Sequence, residues 1–415
     1  MKIERINSES FDKYVLTFPQ ADYYQSSAYG NLMHRFKMKE RYLAFLENGQ
    51  IKGACMLISK PLFLYYQHAY IPRGIITHYE DLNTLDNILK CLKQYLTENN
   101  FLDLKMIPPL VFVKRTNKGK VYYKDTNIAS IMKVIKNNGF IHKGFNSYFE
   151  SPLPRFEAEL DISKLNADQL FTNLNKNTRN KLRKATKYGL VIYKDNKFEF
   201  SKVASLFKNN YLKVHPKYFE QLHKTFGNNC ELYYALLDTE KYVENSRINY
   251  EKELGRNDYF TNIIQSNGYK GKDINNILNL KMESDKILSS YKKYMVEATE
   301  ILKSYPKGVI MGASIILTYN NKAFIIYEGY NKVYKNLCIP YLLKWKIIEK
   351  YAESDIKFIN LGGISGEKDY KKNRYSGLNE SKLGFNASSL EYLGEFNIII
   401  NKKVYAFYNK FIKKK

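Results

Sequence analysis

The stretch GVIMGASIILTYNNKAFIIYEGY, residues 308–330, decides the fold class, because two apolar runs meet at the turn-forming pair Asn320-Asn321. It predicts a β-hairpin. The residues CIPYLLKWKIIEKYAESD, 338–355, then have the apolar spacing of an amphipathic helix. The residues IKFINLGGI, 356–364, predict a strand that ends at a glycine pair. A hairpin, a helix and a strand in this order predict an α+β fold.

The same order of elements occurs earlier in the chain. YLAFLENGQIKGACMLIS, residues 42–59, predicts a hairpin that turns at an Asn-Gly pair. LNTLDNILKCLKQYLTENN at 82–100 predicts an amphipathic helix, and FLDLKMIPPL at 101–110 predicts a strand that ends at prolines. The recurrence indicates an internal duplication of two related α+β units. Chance recurrence within one α+β protein is the alternative.

The length of 415 residues favours two or three domains. We expect the first unit at residues 1–150. We expect the second unit at residues 151–240 and 306–415, interrupted by a helical segment at 241–305. This segment predicts two helices around a turn at 267–272, and Pro306 ends the second helix.

An antiparallel coiled-coil arm is the interpretation of this segment, and a helical pair packed flat on the body is the alternative. Neutral and apolar residues at mixed three-and-four spacing would form one face of each helix. On the first helix they are Val243, Tyr250, Leu254, Thr261 and Ile264; on the second they are Ile274, Ile277, Leu288, Tyr291, Met295, Ala298 and Leu302.

Composition argues against several protein classes. Four cysteines stand far apart without a CxxC pair, and no Cys/His cluster has zinc spacing, so we expect neither a metal site nor another cofactor. The chain contains no run of about 18 apolar residues, so no membrane span is predicted. The N-terminus MKIERINSESFDKY lacks the layout of a signal peptide, so we expect a cytoplasmic protein.

The net charge of +25 has two interpretations. Abundant Lys, Asn, Ile and Tyr fit codon bias in an AT-rich genome. The other interpretation is an anionic partner: RNA, a phosphate-bearing substrate or the inner face of the membrane. Residues 173–224 carry 13 basic and 3 acidic side chains, whereas residues 241–305 carry 11 and 9. This uneven distribution favours a functional basic surface.

Residues 173–189, NLNKNTRNKLRKATKYG, predict a helix that carries much of this charge and ends at a glycine. Basic side chains recur at steps of three and four, and apolar ones mark the opposite side. We call the basic set the basic stripe: Lys176, Arg179, Arg183 and Lys187. It predicts a phosphate or RNA contact; a solvated helix face is the alternative.

The glycine pair at 362–363 raises the question of a phosphate-binding loop. The chain lacks the GxxxxGK[ST] pattern of a P-loop, and it lacks the [QR]xxGx[GA] pattern of an acetyl-CoA loop. We therefore expect a tight turn after a strand, followed by a lid-like loop rich in lysine. A lysine of this loop that faced a developing oxyanion would matter for catalysis.

Several segments, in order along nearly the whole chain, resemble the Fem family of nonribosomal peptidyltransferases, which build the interpeptide bridges of peptidoglycan. In particular, they resemble the branch of the family with a coiled-coil arm. The segments are QSSAYGNL (25–32), YIPRGII (70–76), KNTRNKLRKATKYGL (176–190), YNKVYKNLCIPYLLKWKIIEKYA (330–352), INLGGISGE (359–367), SGLNESKLGFNASSLEYLGEF (376–396) and INKKVYAFY (400–408).

The resemblance implies two tandem N-acetyltransferase-like domains, with the arm inserted in the second. It implies aminoacyl-tRNA as donor and a lipid-linked or UDP-linked muropeptide precursor as acceptor. Association with the inner face of the membrane, and a Fem-family partner or a homo-oligomer, are compatible with it. An acyl-CoA-dependent N-acyltransferase and a non-catalytic RNA-binding protein are the rival hypotheses.

The resemblance also suggests site residues. In SGLNESKLGF, Lys382 keeps the lysine of the family's Phe-Lys pair while Ser381 replaces the phenylalanine, so Lys382 is the expected oxyanion stabiliser. The further expected substrate-binding residues are Lys213, Lys217 and Tyr218 for acceptor phosphates, Arg35 and Arg73 on the N-terminal side, and Arg179 and Arg183 of the basic stripe.

Overall fold

A computed structural model describes residues 1–207, 216–266, 268, 274–367 and 374–412. Its strands form two large mixed sheets. The strands are β1 Lys2–Arg5, β2 Lys39–Glu47, β3 Gln50–Phe63, β4 Tyr66–Ile71, β5 Ile76–Thr77, β6 Phe101–Met106, β7 Val111–Arg115, β8 Val121–Lys124, β9 Ile141–His142, β10 Phe156–Asp161, β11 Leu190–Asp195, β12 Cys230–Leu237, β13 Val309–Tyr319, β14 Lys322–Tyr330, β15 Phe358–Gly363, β16 Ser388–Tyr392 and β17 Phe396–Ile399.

The α-helices lie between these strands and at the chain's end. Within the described residues, none of them is both long enough and apolar enough to cross a bilayer. The helices are α1 Ser8–Val15, α2 Ser27–Arg35, α3 Leu82–Glu98, α4 Ile128–Asn137, α5 Ala167–Asn173, α6 Lys176–Lys187, α7 Ala204–Phe207, α8 Pro216–Phe226, α9 Thr239–Gln265, α10 Ile274–Ser304, α11 Ile339–Ala352, α12 Ser376–Leu383 and α13 Lys402–Phe411.

The predicted α+β order is confirmed in both halves of the chain. In the first sheet, β2, β3 and β4 form an antiparallel meander, α3 follows, and β6 pairs in parallel with β4. In the second sheet, β12, β13 and β14 form the meander, α11 follows, and β15 pairs in parallel with β14. Left-handed backbone at Asn48, Gly49 and Asn320 makes the two predicted turns, because these residue types tolerate a positive φ.

The two sheets exchange strands. The first sheet has the order β1-β2-β3-β4-β6-β17-β9, so it includes a strand from the C-terminal part of the chain. The second sheet has the order β11-β12-β13-β14-β15-β10-β16-β7-β8, so it ends in two strands from the N-terminal part. The division at residue 150 stays a prediction, and backbone pairing crosses it in both directions.

A shared apolar core also joins the two halves. Side chains of α1 and α2 pack in one cluster with side chains of α8 and of β12–β14. The rings of Tyr23 and Phe324 form an edge-to-face pair with their centroids 5.0 Å apart. The ring centroids of Phe36 and Tyr218 are 5.5 Å apart. This aromatic contact between the units fixes α2 against α8 and β14.

Helices α9 and α10 are the two predicted helices of the inserted segment, and they run antiparallel. Tyr242 near the start of α9 donates to Glu297 near the end of α10 at 2.7 Å. Further along, Asn257 donates to Asp285 at 2.8 Å. Thr239 Oγ1 donates to the carbonyl of Tyr305 at 2.8 Å, which ties the two ends of the segment together. The coiled-coil geometry stays a prediction.

The predicted apolar face of α9 is wrong. The structure exposes Leu254 and leaves Val243, Tyr250, Thr261 and Ile264 half-buried. The buried positions are instead Thr239, Tyr242, Ser246, Asn249, Glu253, Asn257 and Phe260. The reason is that Tyr242, Glu253 and Asn257 form hydrogen bonds to α10 and so remain satisfied when buried. On α10, burial of Ile277 and Ala298 confirms two of the predicted positions.

Candidate functional site

Lys382, the predicted catalytic lysine, lies in the last turn of α12 and points into the protein. Its side chain is only 7% exposed, and its Nζ donates to the carbonyl of Gly363 at 2.8 Å. Burial lowers the pKa of the Lys382 ammonium to about 8 because removal from water disfavours the charged form. The ammonium is therefore still the main form at neutral pH.

Lys382 lies at a fork between two strands of the second sheet. Strand β14 pairs with β15 through Lys322–Phe324 and Phe358–Asn360. Both described strands continue beyond these paired residues. In the first sheet, the equivalent strands β4 and β6 are paired from Gln67 to Ile71, the last residue of β4. Separation of two strands leaves backbone groups in need of partners, and Lys382 supplies a donor to one of them.

The glycine pair makes room for the lysine. Gly362 has a φ of +84°, and its N–H donates to Asn360 Oδ1 at 2.7 Å. A Cβ at Gly362 would lie 3.1 Å from Lys382 Nζ and 3.4 Å from the carbonyl oxygen of Ile325. A Cβ at Gly363 would lie 2.8 Å from side-chain atoms of Phe149 and Pro154. Packing around a buried ammonium thus explains Gly362, and close packing of Phe149 and Pro154 explains Gly363.

Gly362→Ala should therefore destabilise the protein by about 1–2 kcal/mol, since a left-handed conformation strains any residue with a Cβ. The close approach to Lys382 adds to this cost. The free energy of unfolding in urea measures the effect. Gly255→Ala is the matched control, because its Cβ would meet no atom within 4 Å on α9 and should stabilise by roughly 1 kcal/mol. A Gly362→Ala protein as stable as the wild type would contradict this packing.

Three further charged side chains influence Lys382. Glu328 and Glu157 favour its ammonium form, and Lys344 opposes it. Lys344 on α11 is fully buried and donates to Glu328 Oε1 at 2.7 Å. A buried lysine needs such a partner. Lys382 and Lys344 thus place two cations near one carboxylate of β14.

Arg73, predicted to contact a substrate phosphate, is 1% exposed and has partners inside the protein. Its Nη2 donates to Glu157 Oε1 at 2.6 Å and to the carbonyl of Pro154 at 3.2 Å. Its guanidinium lies 3.6 Å from the centre of the Tyr392 ring. A contact between Arg73 and a substrate phosphate stays a prediction, while its observed contacts join the two units.

Glu157 connects Arg73 to the region around Lys382. Its Oε2 accepts from Asn360 Nδ2 at 2.7 Å, and Asn360 in turn holds the backbone of Gly362. Asp22 is a further buried carboxyl group whose charge interacts with Arg73 and Glu157. Burial raises the pKa of Asp22 to about 6, and Arg73 limits the rise.

The basic stripe on α6 lies on the exposed side of its helix, as predicted. Lys176, Arg183 and Lys187 are exposed and Arg179 is half-buried, whereas Leu182 and Ala185 are buried. Arg179 Nη1 donates to the carbonyl of Thr172 at 2.6 Å. A surface recess follows this face, lined by Phe171, Thr172, Lys176, Arg179, Asn180 and Arg183.

Helix α6 contacts the helix that carries Lys382. The backbone N–H of Asn175, the N-cap of α6, donates to the carbonyl of Gly384 at 3.2 Å. Lys181 Nζ donates to Glu380 Oε1 on α12 at 3.0 Å, and Asn177 also donates to that carboxylate. The basic stripe and Lys382 are therefore on adjoining helices.

The other predicted substrate-binding residues lie around α8 and α2. Lys217 is exposed on α8, and Arg35 is exposed at the end of α2. The ring of Tyr218 packs against Phe36, and its centroid lies 6.2 Å from that of Tyr327 on β14. Burial raises the pKa of the Tyr218 hydroxyl well above the usual value. Lys213 lies outside the described residues.

Lys344, Glu328, Glu157 and Asp22 are charged residues that the sequence analysis missed. A signal was available for Lys344, which stands inside the apolar run IPYLLKWKII of a mostly buried helix. The carboxylates gave no signal of their own, because their partners come from distant parts of the chain. Within the described residues, no three His, Cys, Asp or Glu side chains come together as a metal site.

Known proteins are similar to this chain over nearly its full length. The FemAB family matches residues 6–414. The chain belongs to the FemAB family. A lipid II:glycine glycyltransferase of Staphylococcus epidermidis is 23% identical over 98% of this chain and 94% of its own length. The aminoacyltransferase FemA of Staphylococcus aureus is 22% identical over 98% of this chain and 97% of its own.

A FemX crystal structure has the same fold as this FemAB-family chain. The TM-score is 0.70 at 19% sequence identity, and the match covers 98% of this chain and 99% of the FemX chain. The resemblance stated from the sequence motifs is confirmed. The predicted enzyme class is also confirmed, since the named relatives are transferases of aminoacyl groups.

Proposed function

We propose that this FemAB-family enzyme transfers an aminoacyl group from aminoacyl-tRNA to the stem-peptide amine of a peptidoglycan precursor. The acceptor is lipid II or its UDP-linked counterpart, and the product is part of an interpeptide bridge. The observation that carries the proposal is a buried lysine at a strand fork, on a helix that adjoins an exposed basic stripe. The names and full-length matches of the relatives support it.

The chemistry needs no separate activation step, because an aminoacyl ester is already reactive. The acceptor amine attacks the ester carbonyl, a C–N bond forms, and the C–O bond to the tRNA breaks. The amine loses a proton and the departing ribose hydroxyl gains one. Negative charge develops on the carbonyl oxygen in between, and the Lys382 ammonium is the group that we propose to stabilise it.

The low solvent exposure of Lys382 strengthens this role. Charges are screened less in a water-poor site, so one ammonium stabilises an oxyanion more there than at the surface. Its bond to Gly363 fixes the ammonium before substrate arrives. Ser381, where the family has phenylalanine, donates to the carbonyl of Leu378 at 2.8 Å, so its hydroxyl is satisfied within α12.

The repeated meander, helix and parallel strand support the proposal that both units are N-acetyltransferase-like. In that interpretation, only the second unit has the open fork that would admit an acyl group, since β4 and β6 stay paired. The inserted helical pair would be the coiled-coil arm. Residues 241–305 are almost neutral, so this arm is not the proposed main RNA surface.

The basic stripe is the proposed tRNA contact, and its removal should weaken tRNA binding. Lys176→Gln, Arg179→Gln, Arg183→Gln and Lys187→Gln together should lower the affinity for aminoacyl-tRNA by about tenfold or more at physiological salt. The slope of log affinity against log salt should fall by about one for each tRNA phosphate that the variant no longer neutralises. Filter binding across a salt series measures both quantities.

A matched control removes charge elsewhere. Lys133→Gln with Lys136→Gln alters two exposed lysines of α4 and should leave both the affinity and the salt slope unchanged. Transfer to the acceptor should fall in parallel with tRNA binding in the stripe variant. Undiminished tRNA affinity in that variant would contradict the assignment of the RNA surface to α6.

A further inference from the structure

We propose that the β3–β4 turn and helix α13 form a docking surface for an anionic phospholipid bilayer. The inference rests on the proposed function in one respect, because a lipid-linked acceptor would be found at such a bilayer. We name this surface the aromatic-basic patch. Its members are Phe63, Leu64, Tyr65, Phe407 and Phe411, with Lys60, Lys402, Lys403 and Lys410 around them.

The turn between β3 and β4 exposes large apolar side chains. Leu64 is 84% exposed and Tyr65 is 65% exposed. Leu64 also has a positive φ of 51°, a conformation in which turns usually place glycine, asparagine or aspartate. A leucine at this position is therefore unfavourable for local structure and for contact with water, which points to a partner that buries it.

Helix α13 continues this surface. Its residues are all described, and none of them is buried; Phe407 and Phe411 are each more than half exposed. The ring of Phe63 stacks on Tyr408 at 5.6 Å with an interplanar angle of 8°. The ring centroids of Phe63 and Phe407 lie 6.4 Å apart. The turn and the helix are thus joined into one patch.

The charge around the patch identifies the kind of partner. Lys60, Lys402, Lys403 and Lys410 are exposed. The sequence 401–415 contains six lysines and no acidic residue. Each lysine near an anionic membrane surface strengthens binding by roughly fivefold. Aromatic rings and aliphatic tips beside lysines suit the headgroup region of a bilayer.

Two other occupants fit less well. A second copy of the chain would bring two lysine-rich patches together, and like charges oppose that contact. Single-stranded RNA could stack on aromatic rings, but Leu64 is the most exposed member of the patch and has no ring on which a base can stack. The complementary surface is therefore an anionic bilayer.

Vesicle flotation of the full chain tests the proposal. The protein should float with vesicles of phosphatidylcholine and phosphatidylglycerol, and it should bind pure phosphatidylcholine vesicles more weakly. Leu64→Ser, Tyr65→Ser, Phe407→Ser and Phe411→Ser together should lower binding by at least about tenfold, since each apolar side chain that leaves water on docking strengthens binding. Lys402→Gln, Lys403→Gln and Lys410→Gln together should reduce the preference for anionic lipid.

Matched controls keep the test specific. Val333→Ser with Val296→Ser removes exposed apolar side chains elsewhere, and Lys118→Gln with Lys120→Gln removes exposed charge elsewhere. Both controls should float like the wild type. Equal binding of the wild type and the patch variants would overturn the proposal. The proposal would also be overturned if the only effect of the patch variants were a loss of self-association or a loss of tRNA binding.

Failure of this proposal is distinguishable from failure of the proposed function. A patch variant that no longer floats should still transfer to a UDP-linked precursor in solution if the catalytic site is intact. Absence of transfer by the wild type, with flotation unchanged, would reject the proposed reaction and leave the docking surface standing.

Discussion

Replacing Lys382 with methionine should lower the rate of aminoacyl transfer by about 100- to 1,000-fold, the range seen when one oxyanion-stabilising donor is removed. Binding of aminoacyl-tRNA should stay within about twofold, because the basic stripe on α6 is untouched. Methionine has similar length and suits a buried site, so the fold should persist. Single-turnover transfer and filter binding measure the two effects.

The pH dependence gives the same residue a second readout. Because burial lowers the pKa of Lys382 to about 8, the ammonium predominates below that pH and is lost as the pH rises through it. Transfer that depends on the ammonium should therefore decline on the alkaline side, around pH 8. Lys382→Arg keeps a positive charge at every accessible pH, so any transfer that it retains should show no such decline.

The Lys382→Met variant needs a control in which an exposed lysine is changed in the same way. Lys332→Met alters an exposed lysine and should leave the rate unchanged. If the Lys382→Met variant transferred at the wild-type rate, this lysine would have no part in the mechanism, whatever its burial. A parallel loss of tRNA binding and transfer would instead give Lys382 a binding role.

Replacing Arg73 with alanine should destabilise the protein by about 3–5 kcal/mol, the cost of leaving one member of a buried ion pair without its partner. Glu157 would then be a buried carboxylate that keeps only the bond from Asn360. The change should shift the urea midpoint of unfolding downward. It should also weaken the contact between the units, since Arg73 comes just after β4 of the first sheet and Glu157 lies in β10 of the second.

The double variant Arg73→Met with Glu157→Met separates the cost of an unpaired charge from the value of the pair. It should recover much of the lost stability, because neither charge then remains buried alone. Lys303→Ala, which removes an exposed ion pair with Glu300, should change stability by less than about 1 kcal/mol. Arg73→Ala with unchanged stability would show that the pair does not hold the units together.

Local signals in the sequence predicted the features that depend on neighbouring residues. Asn-Gly and Asn-Asn pairs predicted both hairpins, because left-handed backbone is needed at those turns. The spacing of apolar residues predicted α3 and α11, and Pro306 marked the end of α10. The basic stripe was predicted for the same reason, since steps of three and four define one face of a helix.

Features that depend on distant partners could not be predicted. The exchange of β17 and β7 between sheets depends on pairing across hundreds of residues, to which hydrophobic periodicity is blind. The buried face of α9 is polar because Asn257 and Glu253 have partners on α10. The place of Lys344 in an apolar run was visible in the sequence, but its pairing with Glu328 of β14 was not. The role of Lys382 came from family resemblance, whereas its burial and its bond to Gly363 came from the structure.

The most direct test of the central claim is a reconstituted transfer reaction. Purified protein is mixed with lipid II and with tRNA charged separately with glycine, alanine or serine, and mass spectrometry follows the stem peptide. A parallel sample receives RNase. The account predicts a mass gain of one aminoacyl residue with at least one donor, abolished by RNase. No gain with any charged tRNA, together with acylation of an amine from acyl-CoA, would contradict it.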